Sequence, residues 1–525
     1  MKNHLQAFLF TTGIIFSHFC LAQNFSRTEL PTPLTTPWEI LYGPDNYLWL
    51  TESGGTVVRV DPLNGNKTVV FTAPDYFSGS PLEQLQACHQ PDIGQGTLGL
   101  ALHPAFGTAG FNYIYFVYSY NQGTVNVPAT KFKIKRLSWD PQNEMVSGDS
   151  DIVVNLPNGY DHFGGRLLAV HRNSNYYLFF AAGDLGISET NAPNCYTPPS
   201  TNPNNFTQDP AFLNGKIHRY FMDGSIPPDN PVPGNPFYTR GHRNPQGLLY
   251  NADDDILFSI EHGDRTDDEI NLLIPGMNYG WKDVRGYHAD NNFAGESAYI
   301  SGYVPHPLLA NDSLVEAFYS WCNVPQPASG PPSTWCTVAP SDGIYYNSNG
   351  IPQWTKSLLV VTLKDGAQTD QELYQFKLNP DGKSLAPSLP NDSNPKRFFG
   401  ADQALNGRLR DIAVSPNGTS LYLINNFGAA SDKITVYTYT GPSTVPEETK
   451  DRVVRLFPNP AEETITLEGN TGIRQLIIYH GNGRKVLSQN DPPNKVNIQF
   501  LPQGFYYAVL TSEEGTVYPL KFIKK

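Results

Sequence analysis

Short apolar strands, each followed by a turn of Asn, Asp, Gly or Pro and then a second apolar strand, recur along most of the chain. These strand–turn–strand units occupy residues 40–49, 100–115, 167–178, 248–258, 344–360 and 412–423. The repetition predicts an all-β fold, a six-bladed β-propeller in which blades of about four strands pack against their neighbours. Unrelated hairpins in stacked sandwiches are the alternative for the same spacing.

The spacing between the units is uneven, which predicts long insertions at 189–210 and 283–340. Long loops on one face of a rigid scaffold are where binding sites are usually built. After Gly441 the composition changes, and residues 442–450 are typical of a linker. Alternating short strands then predict a small C-terminal β-sandwich at 451–525, with about seven strands.

Residues 1–22 have the features of a secretory signal peptide: Lys2, an apolar run from Ala7 to Phe16, and a cleavage site ending at Ala22. The propeller domain would then span 23–441. No later segment approaches the ~20 apolar residues of a membrane-spanning helix. We therefore expect a protein with no membrane span, exported through the periplasm to the cell surface or the medium.

Cleavage after residue 22 would remove Cys20 and leave four of the five cysteines. Cys322 and Cys336 flank a short Pro-rich loop, and we expect them to form a disulfide in an oxidising compartment. Cys88 and Cys195 would then pair by elimination.

Composition supports the β prediction, because Gly and Pro number 45 each and charged residues make up only 16% of the chain. The formal net charge of -13, with no basic tail or stripe, argues against a nucleic acid or an anionic membrane as partner. A neutral ligand is compatible with such a surface.

The highest density of side chains suited to catalysis or metal binding lies between residues 239 and 281. Arg243 stands in a loop bounded by Gly and Pro, where it offers a fixed cation for developing negative charge. The acidic turns at 261–264 and 267–271 offer the hard oxygen ligands that Ca²⁺ selects. The histidines nearby lack the usual spacing of a zinc site, so calcium is the better prediction.

A second candidate group is Asp161 and His162, next to a pair of glycines at the start of a strand. A histidine that acts as a general base needs an orienting partner, and Asp184, one hairpin away, is suitably placed. The alternative is that His162 caps a turn and Asp184 begins the next one.

Three cations stand out in a chain so poor in charge: Lys364, Arg408 and Arg410. Arg408 and Arg410 occupy alternate positions at a strand entrance, so both side chains point the same way and together could bind carboxylates. A solvated basic edge is the alternative. Trp335 offers a flat surface for stacking, although a core position explains it equally well.

Taken in order, these motifs resemble the soluble quinoprotein sugar dehydrogenases of the glucose/sorbosone dehydrogenase family, six-bladed propellers that use pyrroloquinoline quinone and Ca²⁺. The resemblance covers roughly residues 30 to 440. It depends on Gln95 with the segment 98–104, on 161–167, on Gly183-Asp184, on 223–227, and most specifically on 241–247, 268–271 and 278–281.

The resemblance implies oxidation of the anomeric carbon of an aldose to the lactone. His162 would be the base, in one catalytic group with Asp161, Asp184 and Arg243. The implied cofactor-binding residues are Gln95, Arg243, Asn244, Trp335, Lys364, Arg408 and Arg410. Carbonyls of Gly263 and Asp264 would bind Ca²⁺, and Glu269 with the carbonyl of Tyr279 would form a second calcium site. Where relatives commonly have proline this chain has Asp264, whose side chain would add charge at the metal.

The C-terminal module resembles the sorting domain of the type IX secretion system of Bacteroidetes. The opening Phe-Pro-Asn-Pro-Ala at 457–461, the strand at 504–507 and the ending at 521–524 carry this resemblance. It implies the secretion machinery as a partner, besides the sugar and an external electron acceptor. Two other functions remain open: a calcium-dependent propeller lactonase or other hydrolase, and a non-catalytic carbohydrate-binding surface propeller.

Overall fold

The computed structural model describes residues 23–77, 96–123, 130–158, 162–185, 206–322, 324–325, 335–364, 371–388, 393–426, 431–442, 455–468, 472–480, 484–512 and 517–525. The signal peptide, Gln95, Asp161, Cys88 and Cys195 lie outside these residues, as does the predicted linker except for Pro442. The contacts divide the chain after Pro442 into two compact units.

The described residues of the first unit form six four-stranded antiparallel sheets, and the first strand, β1 (Gln23–Glu29), joins the last of them. The strands of the first three sheets are as follows: β2 (Pro37–Tyr42), β3 (Leu48–Glu52), β4 (Thr56–Val60) and β5 (Lys67–Thr72); β6 (Thr97–Leu102), β7 (Tyr113–Asn121), β8 (Thr130–Asp140) and β9 (Met145–Leu156); β10 (Gly164–Arg172), β11 (Asn175–Ala182), β12 (Lys216–Phe221) and β13 (Phe237–Arg240).

The strands of the other three sheets are β14 (Pro245–Asn251), β15 (Ile256–Glu261), β16 (Asp268–Leu273) and β17 (Tyr319–Trp321); β18 (Pro340–Tyr346), β19 (Ser357–Thr362), β20 (Leu373–Lys377) and β21 (Lys396–Phe398); β22 (Leu409–Val414), β23 (Ser420–Asn425) and β24 (Ile434–Pro442), beside which β1 pairs. Within the described residues the helices are short: α1 (Glu296–Ser301), α2 (Gln403–Asn406) and 3₁₀ turns at Pro352–Trp354 and Gly400–Asp402.

The sheets follow one another in a cycle. The first strand of each sheet contacts the first strand of the next, and β22 of the sixth contacts β2 of the first. One cluster of buried apolar side chains lies between each neighbouring pair of sheets. Strands such as β19 are therefore buried along their whole length, because both of their faces pack on a neighbouring sheet.

The first strand of every sheet carries a β-bulge in its pairing with the second strand. The register shifts fall at 37–39, 97–100, 164–167, 245–247, 340–342 and 409–411. A bulge re-aims the side chains beside it. In four of the six strands a buried charged residue follows or lies within the bulge: Glu39, Arg166, Asp342 and Asp411.

The second unit contains two antiparallel sheets, one of three strands and one of four. Side chains from both sheets, among them Ile465, Leu476 and Tyr506, share one apolar cluster. The strands are β25 (Arg455–Phe457), β26 (Thr464–Glu468) and β29 (Lys495–Asn497), and then β27 (Ile473–His480), β28 (Lys485–Asn490), β30 (Gly504–Ser512) and β31 (Val517–Lys524).

The chain is thus all-β, as predicted. The expected disulfide between Cys322 and Cys336 is also confirmed, with Cα atoms 5.5 Å apart. Within the described residues, no helix has the length and apolar character needed to cross a membrane.

Candidate active site

Most of the predicted site residues line a single open cavity of about 560 Å³ in the first unit. The cavity lies where first strands begin and second strands end. It brings together His162, Arg243, Asn244, Gly263, Asp264, Trp335, Lys364, Arg408 and Arg410. Its volume is within the usual range for small-molecule sites.

His162 and Asp184 form a hydrogen-bonded pair at the wall of this cavity. Nδ1 of His162 lies 2.8 Å from Oδ1 of Asp184, which is completely buried. Gly183 allows the approach, since a Cβ at this position would collide with the carbonyl oxygen of His162. The second oxygen of Asp184 accepts a hydrogen bond from Nε1 of Trp281, 2.8 Å away. The carboxylate is therefore held from both sides and fixes the orientation of the imidazole.

Arg243 and Asn244 lie in the tight connection between β13 and β14. The backbone N–H of Asp184 donates to the carbonyl of Arg243 at 2.7 Å, which joins this connection to the His162 pair. Nη1 of Arg243 donates to the carbonyl of His262 at 3.2 Å. Oδ1 of Asn244 accepts from Nε2 of Gln246 at 2.8 Å. Arg243 is almost fully buried, so its charge is weakly screened within the cavity.

The three predicted cations meet on another side of the cavity. Lys364 donates to the carbonyl of Trp335, and Nη2 of Arg410 donates to Oε1 of Gln246 at 2.8 Å. Burial, together with the charges of Arg166 and Arg408, lowers the pKa of Arg410 to about 9. Crowded buried cations of this kind favour an anionic partner.

The acidic turn after β15 is closed by Asp268. Its carboxylate accepts backbone N–H groups of Gly263, Val338 and Ala339 at 2.9, 2.7 and 2.9 Å. Burial nevertheless raises the pKa of Asp268 to about 6. Gly263 is required here, because a Cβ would collide with the carbonyl oxygens of Thr266 and Asp267. The carboxylate of Asp264 lies 2.9 Å from Nη1 of Arg285, so an arginine balances the charge that we expected to add to the metal.

A second, much smaller cavity of about 20 Å³ adjoins the first and is lined by Gly263, Asp264, Glu269 and Tyr279, together with Glu261. Glu261 and Glu269 are cross-strand neighbours in β15 and β16. Burial, with the charge of Glu261 beside it, raises the pKa of Glu269 well above its usual value. Two carboxylates this close are costly without a proton or a cation between them.

Four residues of the site were not singled out from the sequence: Trp38, Gln246, His262 and Trp281. Gln246, His262 and Trp281 lie within the motifs at 241–247, 261–264 and 278–281, but nothing in these motifs indicates what each side chain contacts. The ring of Trp38 contacts the guanidinium groups of both Arg166 and Arg410, whose central carbons lie 4.1 and 4.2 Å from its centroid. A single tryptophan on an apolar strand gives no sequence signal for such a position.

Residues 34–431 match the family model described as Glucose / Sorbosone dehydrogenase. The chain belongs to this family, and the predicted family and dehydrogenase class are confirmed. Among curated proteins it is similar to quinoprotein glucose dehydrogenase B of Acinetobacter calcoaceticus, 29% identical over 451 residues that cover 77% of this chain and 86% of the relative. It is also similar to aldose sugar dehydrogenase YliI of Escherichia coli (strain K12), 26% identical over 408 residues, with 76% and 89% covered.

Among solved structures, the fold is similar to that of the PQQ-bound aldose sugar dehydrogenase from Streptomyces coelicolor, with a TM-score of 0.54 and 23% identity over 80% of this chain and 99% of that one. Residues 455–525 match the model of a secretion system C-terminal sorting domain. The predicted sorting module is thereby confirmed, and its presence indicates export.

Proposed function

We propose that the protein is a quinoprotein dehydrogenase that oxidises the anomeric carbon of aldoses to the lactone, with pyrroloquinoline quinone as hydride acceptor and Ca²⁺ at its side. The observation that carries this proposal is that the His162–Asp184 pair faces the same cavity as four cations, Arg243, Lys364, Arg408 and Arg410.

The donor set of the cavity fits an anionic, planar quinone. Lys364, Arg408 and Arg410 would bind its carboxylates, and Trp335 would stack on its rings. Within the described residues, Nε of Arg410 and Nε2 of His262 are buried and have no hydrogen-bond partner. Buried polar atoms are rarely left in this state, so a bound polar ligand accounts for both.

Calcium fits the acidic turn. Carbonyl oxygens of Gly263 and Asp264 would bind one ion at the edge of the large cavity. In the small cavity, Glu269 and the carbonyl of Tyr279 would bind a second, where a cation would offset the repulsion between Glu269 and Glu261.

Each residue of the site has its own role in the proposed reaction. The bound quinone supplies the acceptor for the hydride of the anomeric carbon. With Nδ1–H of His162 donating to Asp184, Nε2 would take the proton of the anomeric hydroxyl. Arg243 and Asn244 would stabilise the negative charge that develops next to them. We also assign Gln95 to the cofactor side and Asp161 to the catalytic group, both from motif position alone.

We further propose that the first unit is a six-bladed β-propeller and the second a β-sandwich. The cycle of contacts between the six sheets and the pairing of β1 with β24 support the propeller, and the apolar cluster shared by two sheets supports the sandwich. The proposed boundaries are 1–22 for the signal peptide, 23–441 for the propeller, 442–450 for the linker and 451–525 for the sandwich. Export would run through the periplasm, and an external acceptor would reoxidise the cofactor.

The alternatives explain fewer of these contacts. A lactone hydrolase would use a His/Asp pair and an acidic metal site, but it has no need of Lys364, Arg408 and Arg410 on the same cavity. A propeller that only binds carbohydrate has no need of an imidazole oriented by a buried carboxylate.

The proposal is tested by reconstituting the purified chain with pyrroloquinoline quinone and Ca²⁺ and following dye reduction with a panel of aldoses. We expect turnover that requires both additions and is lost in His162→Ala, with retention of quinone binding. His480→Ala, in the second unit, is the matched control and should keep full activity. Failure to bind the quinone, together with no turnover of any aldose, would overturn the proposal.

A further inference from the structure

Another cavity, a shallow groove distinct from the two described above, lies between the second and third sheets. It has a volume of about 330 Å³ and opens at the strand ends opposite the candidate active site. This placement follows from the strand directions: β11 ends next to Asp184, whereas Tyr176 of the groove stands at its start. His103 likewise follows the end of β6, and Tyr113 begins β7.

The walls of this groove are aromatic. His103 lies 4.9 Å from Phe111 and 4.5 Å from Tyr176, measured between ring centroids, and Phe111 lies 5.7 Å from Tyr176. Phe111 is 36% exposed. Adjacent ring faces in a concave surface suit a flat ligand with apolar C–H faces.

The floor of the groove contains two buried polar atoms, one from Tyr115 and one from Arg136. Tyr115 and Arg136 are register partners on β7 and β8. The hydroxyl of Tyr115, a completely buried residue, and Nε of Arg136 are both buried without a hydrogen-bond partner in the described part of the chain. The guanidinium of Arg136 lies over the ring of Tyr113, 4.9 Å from its centroid. Two adjacent unsatisfied polar groups at the base of an aromatic groove indicate a ligand with hydroxyl groups.

Asp223 also lines the groove, and its carboxylate interacts with the charge of Arg136. This carboxylate disfavours an anionic ligand, and the two polar atoms of the floor disfavour a purely apolar one. A hydroxyl group can accept from Arg136 and either donate to or accept from Tyr115. The combination is therefore specific for a neutral ring with hydroxyls at its edge and C–H groups on its faces.

We propose that this groove is an accessory carbohydrate-binding site, in which a sugar ring packs on Phe111 and Tyr176 while its hydroxyls bind Tyr115 and Arg136. The ring can come from a free monosaccharide or from a unit of a polysaccharide, since both present the same chemistry. Because the groove opens opposite the catalytic cavity, a bound glycan leaves that cavity accessible. The inference is independent of the proposed reaction.

The test uses the full chain loaded with pyrroloquinoline quinone and Ca²⁺, with soluble dextran as one probe and methyl α-glucoside, which has no free anomeric hydroxyl to be oxidised, as the other. Retardation in gels that contain dextran measures binding to a polysaccharide, and calorimetric titration with methyl α-glucoside measures binding of a monosaccharide without turnover. We expect Phe111→Ala and Arg136→Met to weaken binding of at least one probe by about ten-fold. Phe505→Ala, an equally exposed phenylalanine of the second unit at 41%, should bind as the unchanged chain does.

Two further measurements separate this site from the catalytic cavity and from a structural effect. Phe111→Ala, Arg136→Met and Phe505→Ala should all retain the kcat/KM of the unchanged chain for the aldose that it oxidises best. Tyr115→Phe should lose binding without loss of thermal stability, because its hydroxyl has no partner to lose. Binding of neither probe, binding unaffected by Phe111→Ala and Arg136→Met, or a Tyr115→Phe variant that is destabilised while still binding would each overturn the inference.

Discussion

Nδ1 of His162 lies 2.8 Å from Oδ1 of Asp184, and the other oxygen of that carboxylate accepts a hydrogen bond from Trp281. The segment before β10, the segment after β11 and the distant loop that carries Trp281 thus meet at one buried carboxylate. Asp184 can hold the imidazole in a single tautomer and stabilise its protonated form after proton transfer. The carboxylate itself does not line the cavity, so it is a positioning residue.

Asp184→Asn should therefore lower kcat for aldose oxidation by roughly 10²-fold or more, because the amide no longer fixes the tautomer or stabilises the charged imidazole. KM and quinone affinity should change little. Steady-state kinetics at saturating cofactor measure the effect. Asp255→Asn, at a partly exposed ion pair with Arg172 that lies away from the cavity, is the matched control and should leave kcat unchanged. A kcat for Asp184→Asn close to that of the control would refute the positioning role.

For Arg410 we expect a substitution that weakens quinone binding without lowering the stability of the apoprotein. Arg410→Gln should weaken pyrroloquinoline quinone by roughly 10- to 100-fold, the usual value of a hydrogen bond to a charged group. The apoprotein should be at least as stable as the unchanged chain, since burial and the charges of Arg166 and Arg408 disfavour this cation. Absorbance titration gives the Kd of the quinone, and urea unfolding gives the stability.

Arg474→Gln, at an exposed arginine of the second unit, should alter neither quantity. Equal losses of affinity and stability in Arg410→Gln would instead indicate that the arginine mainly supports the fold.

The contacts that could be predicted from the sequence are those within or between short motifs. Asp184 follows the hairpin that begins beside His162, so turn positions made the pair a candidate, although they left a turn-capping role for His162 open as well. Arg408 and Arg410 are two residues apart at a strand entrance, and both line the cavity as their spacing indicates. Local periodicity carries this information without knowledge of the whole fold.

Contacts across the whole first unit could not be found in this way. Nη1 of Arg166 contacts Glu39 and lies 2.9 Å from Asp342 and 3.4 Å from Asp411, which belong to three other sheets. More than a hundred residues separate Arg166 from each of these partners along the chain. The available signal was a charged residue inside an apolar strand, which indicates a paired buried charge but not its partner. The bulges that aim these side chains at one point also leave no pattern in a single sequence.

Arg166→Met should lower the free energy of unfolding by about 3–5 kcal/mol, because three buried carboxylates lose their shared cation. Arg172→Met, at the other end of β10 and only partly buried, is the matched control and should cost much less. Urea denaturation of both variants at one pH makes the comparison. Similar losses of unfolding free energy in both variants would show that the buried cluster of Arg166, Glu39, Asp342 and Asp411 stabilises the fold no more than a partly exposed ion pair does.

The same cluster predicts a pH dependence. Burial raises the pKa of Glu39 from 4.5 to about 8, so the folded chain holds a proton that the unfolded chain releases. The contribution of Glu39 to stability is complete below pH 4.5 and is lost as the pH rises through about 8. Glu39→Gln should therefore flatten the decline in the free energy of unfolding between these pH values. Glu144→Gln, at a side chain 62% exposed, should follow the unchanged chain; an identical slope in Glu39→Gln would contradict the assignment.

We expect the disulfide between Cys322 and Cys336 to affect both the stability of the fold and the affinity of the cavity for the quinone. It closes a loop with a separation of 14 residues, and Trp335, next to Cys336, lines the cavity while its carbonyl accepts from Lys364. Loss of the bond in Cys322→Ser/Cys336→Ser should lower the free energy of unfolding by about 3 kcal/mol, since the open loop gains entropy in the unfolded chain. It should also weaken the quinone, because the same bond restrains Trp335 and the carbonyl that Lys364 contacts. Reductant should reproduce both effects in the unchanged chain and neither in the double variant. A stability loss with unchanged quinone affinity would restrict the disulfide to a structural role.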